Sequence, residues 1–367
     1  MKLLFSTNQL YAGSGGAQRV VSLLCNELAR QGHIVKLILY RERDREEYYI
    51  SENVEVDVLP NRNDGENKIS YYIRKLRELK KEIIEFDPDV IIPFLSEPMW
   101  YAYLATCFTK YRNRIITTVR NNPHLFPKQR NIRWRNNVLI FLSKACFVQN
   151  EEQKAYFPSV IRKKTFVLPN PVSDELFSSK RQDCDITKLI TMGRLSGQKN
   201  HGMMIEAFAK LSEKYPQLCL DIYGDGDLKN SLDALICERG LEGKVCLRGI
   251  TTDVKGALLS HGLFIMTSNY EGMPNALIEA MATGMPCIST DCPTGPSDLI
   301  KTMESGILIP MNNVEKCAEA IEYMISNPEA AMKMGRRGRE KIKESLVCER
   351  IAGQFLSYCD EYIINRR

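Results

Sequence analysis

Read end to end, the chain shows one pattern twice: short apolar runs of strand length, separated by stretches with helical periodicity. In the first half Lys2–Thr7, Ile34–Tyr40, Val54–Leu59, Asp89–Leu95, Arg114–Val119, Ala145–Gln149 and Lys164–Leu168 read as strands. Ala17–Arg30 repeats Val20, Val21, Leu24 and Leu28 at helical spacing, and Ile69–Glu85 sets Ile73, Leu76, Leu79, Ile83 and Ile84 on one face. A polar stretch, Ser173–Asp185, interrupts the pattern, which then restarts with Leu189–Met192, Cys219–Tyr223, Val245–Leu247, Leu263–Thr267 and Cys287–Thr290. Helical segments at 201–214, 227–239, 275–283 and 314–326 lie between or after these runs. Alternation of this kind predicts parallel sheets with crossover helices. At 367 residues the chain is too long for one ordinary core and suits two. The expected division is a domain over 1–170, a linker over 171–185, a second domain over 186–345 and a closing helix over 346–367.

Charge separates the two halves. Residues 1–170 hold 27 lysines and arginines against 18 acids, and residues 171–367 hold 23 against 27. A basic first half and a mildly acidic second half imply separate tasks. No apolar run approaches the roughly 20 residues of a spanning helix, and Met1–Thr7 lacks a signal-peptide pattern. The 12 cysteines form no C-x-x-C pair, which predicts reduced thiols in a cytoplasmic setting rather than disulfides or zinc.

Chemistry concentrates in Tyr270–Gly284, YEGMPNALIEAMATG. Pro274 suits a first helical turn, and the residues after it are apolar nearly all round, so this helix is expected to be buried. Glu279 stands within that apolar cylinder and needs a partner. Glu271 precedes the helix, where free N–H groups favour anions. Eight residues of helix separate the two acids by roughly 12 Å, about the span from a sugar to a nucleotide's ribose. Two structural carboxylates satisfied by the protein itself would fit these residues equally well.

Gly193–Asn200, GRLSGQKN, leaves the first strand of the second half and places Arg194 and Lys199 where ligands collect on α/β sheets. A guanidinium fork and a mobile ammonium suit adjacent phosphates, although such pairs are also common on solvated surface. In the first half, N-Q-L-Y-A-G-S-G-G follows the opening strand, and Gly15 and Gly16 would let backbone N–H groups approach a phosphate. That loop does not have the G-x-G-x-x-G spacing, which disfavours a dehydrogenase. Asp87-Pro88-Asp89, Asp183-Cys184-Asp185 and Asp225-Gly226-Asp227 fit D-x-D in letters only and support no metal site.

Taken together, G-G-A-Q-R-V, G-R-L-x-x-x-K and E-G-x-P with Glu-x7-Glu resemble the signatures of glycosyltransferase family 4. The resemblance implies the GT-B fold, an α/β architecture of two Rossmann-like parallel-sheet domains facing across a cleft. It implies a retaining transferase that needs neither metal nor cofactor and takes its sugar from a nucleotide diphosphate, with UDP the expected nucleotide. Carried onto this chain, Arg194 and Lys199 receive the donor diphosphate, and Gly15 and Gly16 add N–H groups from the opposite domain. Glu271, with Gly272, Met273, Pro274 and Asn275 after it, holds the sugar, and Glu279 takes the ribose hydroxyls. Gly224 and Ile250 border the nucleotide. The family's usual histidine is replaced by Arg120-Asn121-Asn122, so Arg120, Asn121 and His124 are the acceptor-side candidates; a surface-loop role fits His124 better. Gln18 also departs from the family's glutamate.

The variant around Arg120 resembles enzymes of capsule and exopolysaccharide assembly, which implies a lipid-linked or oligosaccharide acceptor at the inner face of a bacterial membrane. Lys128, Arg130, Arg133 and Arg135, set beside Phe126, Ile132 and Trp134 in Pro127–Leu142, fit docking on anionic lipid as well as they fit a solvated face. No nucleic-acid module is present. Alternatives to transfer are a sugar-nucleotide epimerase on the same fold and a non-catalytic glycan-assembly scaffold.

Overall fold

The computed structural model describes residues 1–11, 15–41, 47–178 and 185–361. The chain divides into two compact units, Met1–Pro171 together with the segment from Cys348, and Val172–Val347. The first unit runs β1 (Lys2–Thr7), α1 (Gly16–Arg30), β2 (Ile34–Leu39), β3 (Val54–Val58), α2 (Lys68–Phe86), β4 (Val90–Pro93) and α3 (Ser96–Ala105). It continues through β5 (Ile116–Thr118), α4 (Arg130–Leu142), β6 (Ala145–Val148), α5 (Glu151–Ala155), α6 (Ser159–Arg162) and β7 (Thr165–Val167). Strands lie in the order β3-β2-β1-β4 and β5-β6-β7, all parallel, and an Ile91–Ile115 bridge joins the two sets.

In the second unit β8 (Lys188–Met192), α7 (His201–Leu211), β9 (Cys219–Tyr223), α8 (Lys229–Glu238), β10 (Val245–Gly249), α9 (Val254–Leu259) and β11 (Leu263–Met266) come first. Next are α10 (Asn275–Ala282), β12 (Cys287–Thr290), α11 (Pro296–Leu299), β13 (Ile307–Ile309), α12 (Val314–Ser326) and α13 (Pro328–Ser345). Its sheet is parallel, in the order β10-β9-β8-β11-β12-β13. Counted from β8 this is 3-2-1-4-5-6, the doubly wound order whose connections diverge between the first and fourth strands. Residues 172–178, placed by sequence in a linker, pack into this unit: Asp174–Phe177 forms a 3-10 turn, and Arg339 donates to the Phe177 carbonyl at 2.6 Å.

The final helix, α14 (Cys348–Cys359), belongs to the first unit. Its Phe355 is fully buried, with ring centroids 5.9 Å from Phe5 on β1 and 5.6 Å from Phe147 on β6.

One helix face differs from expectation. On α2 the buried residues are Lys75, Leu79, Ile83 and Phe86, whereas Ile69, Ile73 and Ile84 are exposed. Lys75 turns inward because every need of its ammonium is met there. It donates to the Tyr40 carbonyl at 2.6 Å and the Tyr71 hydroxyl at 2.8 Å, and lies over the rings of Tyr40, Tyr71 and Tyr101. A second buried lysine, Lys36 on β2, stands among Glu55, Asp57 and Glu82 at 2.5–2.7 Å.

Candidate functional site

At the carboxyl ends of β8, β9 and β10 three turns are laced backbone to backbone. Gly193 N donates to Tyr223 O at 2.9 Å, Leu195 N to Asp225 O at 2.9 Å, and Gly224 N to Gly249 O at 2.7 Å. The lacing explains the glycine of G-D-G. A Cβ on Gly224, whose φ is +145°, would stand 2.0 Å from the Gly193 carbonyl oxygen. Ile250, expected at the nucleotide, follows β10 in a half-exposed turn.

Beside this lies the divergence point between β8 and β11, and the two loops that leave these strands are tied together. Asn269 N donates to Gln198 O at 2.8 Å, Gln198 Nε2 to Tyr270 O at 3.0 Å, and Asn269 Nδ2 to Gly197 O at 2.8 Å. Thr267 Oγ1 adds bonds to the carbonyls of Lys199 and Asn200 at 3.1 and 3.0 Å. These ties bring Lys199 and Glu271, 72 residues apart, into an ion pair of 2.6 Å. Both side chains are largely withdrawn from water, with 17% and 7% exposure. Ser268 Oγ donates to the same Glu271 oxygen at 2.6 Å, and Thr294 Oγ1 donates to the Glu271 carbonyl. Lys199 also packs under Gly193, whose absent Cβ would meet its Cε at 3.0 Å.

The helix after Glu271 is buried, with Leu277, Ile278, Ala280, Met281 and Ala282 at 1% exposure or less. It starts at Asn275; Pro274 caps it in an extended conformation rather than sitting inside the first turn. Glu279 is buried on α10 and is not without a partner. Arg194, by contrast, is exposed on its loop. The charges leave their mark on neighbours. Burial and then the Lys199 ammonium hold the His201 imidazole down to about 3, so it is neutral at pH 7. Burial, and next the Glu271 carboxylate, push the Cys292 thiol up to about 12.

Sequence reasoning missed the supporting polar residues: Gln198, Asn269, Ser268, Thr294 and the buried His201. Ser268, three residues before Glu271, and Gln198, next to Lys199, were the available signals, but an isolated serine or glutamine beside a charged residue is commonplace.

In the first unit Gly15 is the N-cap of α1, with Gly16 the first helical residue; Gly13 lies outside the described residues. The three acceptor-side candidates have different surroundings. His124 is exposed, its ring edge-on to Tyr156 at 4.7 Å, and Asn121 Oδ1 accepts from Asn122 N at 2.8 Å. Arg120 turns toward Leu168 and Asn170, which accept from its Nη1 at 3.2 and 3.1 Å. Of the D-x-D letters, Asp87 ends α2 and pairs with Lys110 and Arg114, and Asp89 accepts from Lys2 N. Asp225 accepts from Gly226 N, and Asp183 lies outside the described residues. Among the described residues no helix is long and apolar enough to cross a membrane.

Residues 14–176 match the model of Glycosyltransferase Family 4, and residues 172–341 match that of Glycosyl transferases group 1. An uncharacterized glycosyltransferase of Methanocaldococcus jannaschii is 31% identical over 254 residues, 62% of this chain and 62% of that protein. The N-acetylgalactosamine-N,N'-diacetylbacillosaminyl-diphospho-undecaprenol 4-alpha-N-acetylgalactosaminyltransferase of Campylobacter jejuni is 28% identical over 86% of this chain and 88% of its own. Among solved structures, S. aureus TarM, crystallised with UDP, superposes with a TM-score of 0.80 at 15% identity, over 98% of this chain and 99% of its own. That neighbour and others like it have the GT-B fold.

Proposed function

The chain belongs to glycosyltransferase family 4, and from that membership we propose that it moves a sugar from a UDP-linked donor to a lipid-linked glycan, with retention at the anomeric carbon. The observation that carries this reading is the Lys199–Glu271 pair at the divergence point of the second sheet. Breaking the bond between sugar and diphosphate builds negative charge on the departing phosphate. A largely dehydrated ammonium stabilises that charge far better than one in bulk water. Lys199 supplies it, and the exposed Arg194 adds a guanidinium fork to the outer phosphate oxygens. Two cations make a metal unnecessary.

Without donor, Lys199 and Glu271 neutralise each other. When the diphosphate arrives the ammonium turns to it, and the released carboxylate accepts hydrogen bonds from the sugar hydroxyls. Backbone N–H groups of Gly272 and Met273 complete the sugar's seat, and Glu279 takes the ribose. UDP is the nucleotide bound in the S. aureus structure, and the C. jejuni relative is named for a diphospho-undecaprenol acceptor; both support the finer reading.

Membrane contact rests on α4 and the loop before it. Trp134 is 71% exposed one turn after exposed Arg130, and Phe141 and Leu142, about half exposed, lie at the other end of α4, where Lys164 stands over the Phe141 ring at 5.6 Å. Apolar side chains flanked by cations match an anionic lipid surface at the inner face of the membrane.

A panel of nucleotide-sugars tests the proposal. One UDP-sugar is expected to release UDP slowly without acceptor, and proton NMR of the first-formed sugar is expected to show the donor's anomeric configuration. Release from no donor, or an inverted product, rejects the reading.

A further inference from the structure

In the first unit the strand order reverses between β1 and β4, so the carboxyl ends of these strands form that sheet's divergence point. Phe94, just past β4, is tied to β1 by its N–H, which donates to Ser6 O at 2.8 Å. The Arg120 guanidinium lies over the Phe94 ring at 5.0 Å. Buried side-chain atoms without a hydrogen-bond partner among the described residues gather on this edge: Thr7 Oγ1, Asn8 Oδ1, and both Nε and Nη2 of Arg120.

Arg120 is the anomaly among them. Its one bonded nitrogen, Nη1, meets only neutral acceptors, Leu168 O and Asn170 Oδ1. Asn170 is in turn held by Gln149 at 2.9 Å, and Gln149 by Gln153 at 3.1 Å, so these amides behind the guanidinium are neutral. Among the described residues no carboxylate pairs with Arg120, and burial pulls its pKa down to about 10, which leaves it fully charged at pH 7. A dehydrated cation without a counter-charge is costly, and a guanidinium that merely pinned Leu168 and Asn170 could be replaced by a neutral amide at lower cost. The fork of Nε and Nη2 is the geometry that receives two oxygens of one anion.

We propose that Arg120 is the receptor for an anionic group, a phosphate or a carboxylate, on the substrate that accepts the sugar. The inference rests on the transferase reading for the word acceptor, and on the first unit's own geometry for the anion. A phosphate would belong to the acceptor's lipid linkage, and a carboxylate to an acidic sugar in its glycan. Thr7 and Asn8 offer polar atoms on the same edge to neutral hydroxyls of that molecule.

The test uses the full chain with saturating UDP, so that the Lys199 site is occupied. Thermal melting is followed at constant ionic strength against inorganic phosphate, glucuronate and, as the neutral control, glucose. The melting shift caused by UDP itself is recorded first. Its absence counts against the transferase reading and leaves the anion titrations readable.

Phosphate or glucuronate, but not glucose, is expected to raise the melting temperature, and whichever anion acts identifies the source. Arg120→Gln is expected to weaken that response at least tenfold, and Arg120→Lys, which keeps the charge without the fork, by less. Arg120→Met is expected to melt at or above the wild type, because it removes an unpaired charge. Equal anion responses in wild type and Arg120→Gln, or no response to either anion, overturn the proposal. So does melting far below the wild type in both Arg120→Met and Arg120→Gln, which would make the guanidinium a structural tie.

Discussion

Replacing Lys199 by Met removes the ammonium 2.6 Å from Glu271 and leaves a carboxylate of 7% exposure with the Ser268 hydroxyl as its remaining side-chain donor. An ion pair on open surface contributes about 0–1 kcal/mol, whereas breaking a fully buried one costs about 3–5 kcal/mol. With 17% and 7% exposure this pair lies nearer the buried limit, so Lys199→Met is expected to destabilise the second unit by about 2–3 kcal/mol. For a unit of this size that is a drop of roughly 5–10 °C in melting temperature. Glu271→Gln strands the ammonium less severely, because Lys199 is the more exposed partner and a flexible stem lets it reach water. In the double variant the stranded charge is gone, so the two losses should not add; a coupling of at least about 1 kcal/mol is expected. Both tryptophans, Trp100 and Trp134, lie in the first unit, so fluorescence follows that unit while circular dichroism follows both. The second unit's transition is the dichroism change that fluorescence does not share. Strict additivity within about 0.5 kcal/mol would mean the two groups are independent, and the argument from their pairing would fail.

Three further outcomes follow from other parts of the molecule. Gly224→Ala places a methyl 2.0 Å from the Gly193 carbonyl oxygen at a φ of +145°, and is expected to cost about 3 kcal/mol or more by calorimetry; a loss under about 1 kcal/mol would mean the turns are not locked. At Lys36 burial favours the neutral amine, but the hydrogen bonds its ammonium donates to Asp57, Glu55 and Glu82 overcome it and raise the pKa above the unfolded value. Its stabilisation is therefore complete below about pH 10 and lost as pH rises further, so Lys36→Met, which leaves partly exposed acids that water can reach, should lower stability at neutral pH by about 1–2 kcal/mol and flatten the alkaline limb of the stability curve. An unchanged alkaline limb would contradict that linkage. Vesicles with anionic lipid are expected to sediment the wild type in a salt-sensitive manner, and Trp134→Ser with Arg130→Glu to abolish this; binding indifferent to lipid charge would remove the membrane assignment.

The fold was legible because strand-length runs such as Ala145–Val148 and Leu263–Met266 are apolar throughout, as buried parallel strands must be. Less legible were short elements whose stability comes from neighbours rather than from their own letters. The strand Ile307–Ile309 has only 3 residues, and α3 is apolar without a preferred face. Lys75 misled the reading of α2 because a charged residue signals solvent, and only the tertiary arrangement of Tyr40, Tyr71 and Tyr101 could reverse that. At the candidate site, Lys199, Glu271 and Glu279 were singled out from their spelling. The direct pairing of Lys199 with Glu271 was not foreseen, because the contact spans 72 residues and depends on Gln198 and Asn269 holding two loops together. Arg120 stood out only as a departure from a family pattern; that its Nε and Nη2 are buried without a partner among the described residues is visible only in three dimensions.

The central claim is that the nucleotide diphosphate binds the second unit around Lys199 and Glu271. Hydrogen exchange of the full chain with and without UDP, read peptide by peptide, addresses it directly. The account predicts slowed exchange in 193–200, 224–226, 249–250 and 271–279, largely lost in Lys199→Ala. Protection confined to other segments, or the same protection in wild type and Lys199→Ala, would contradict it.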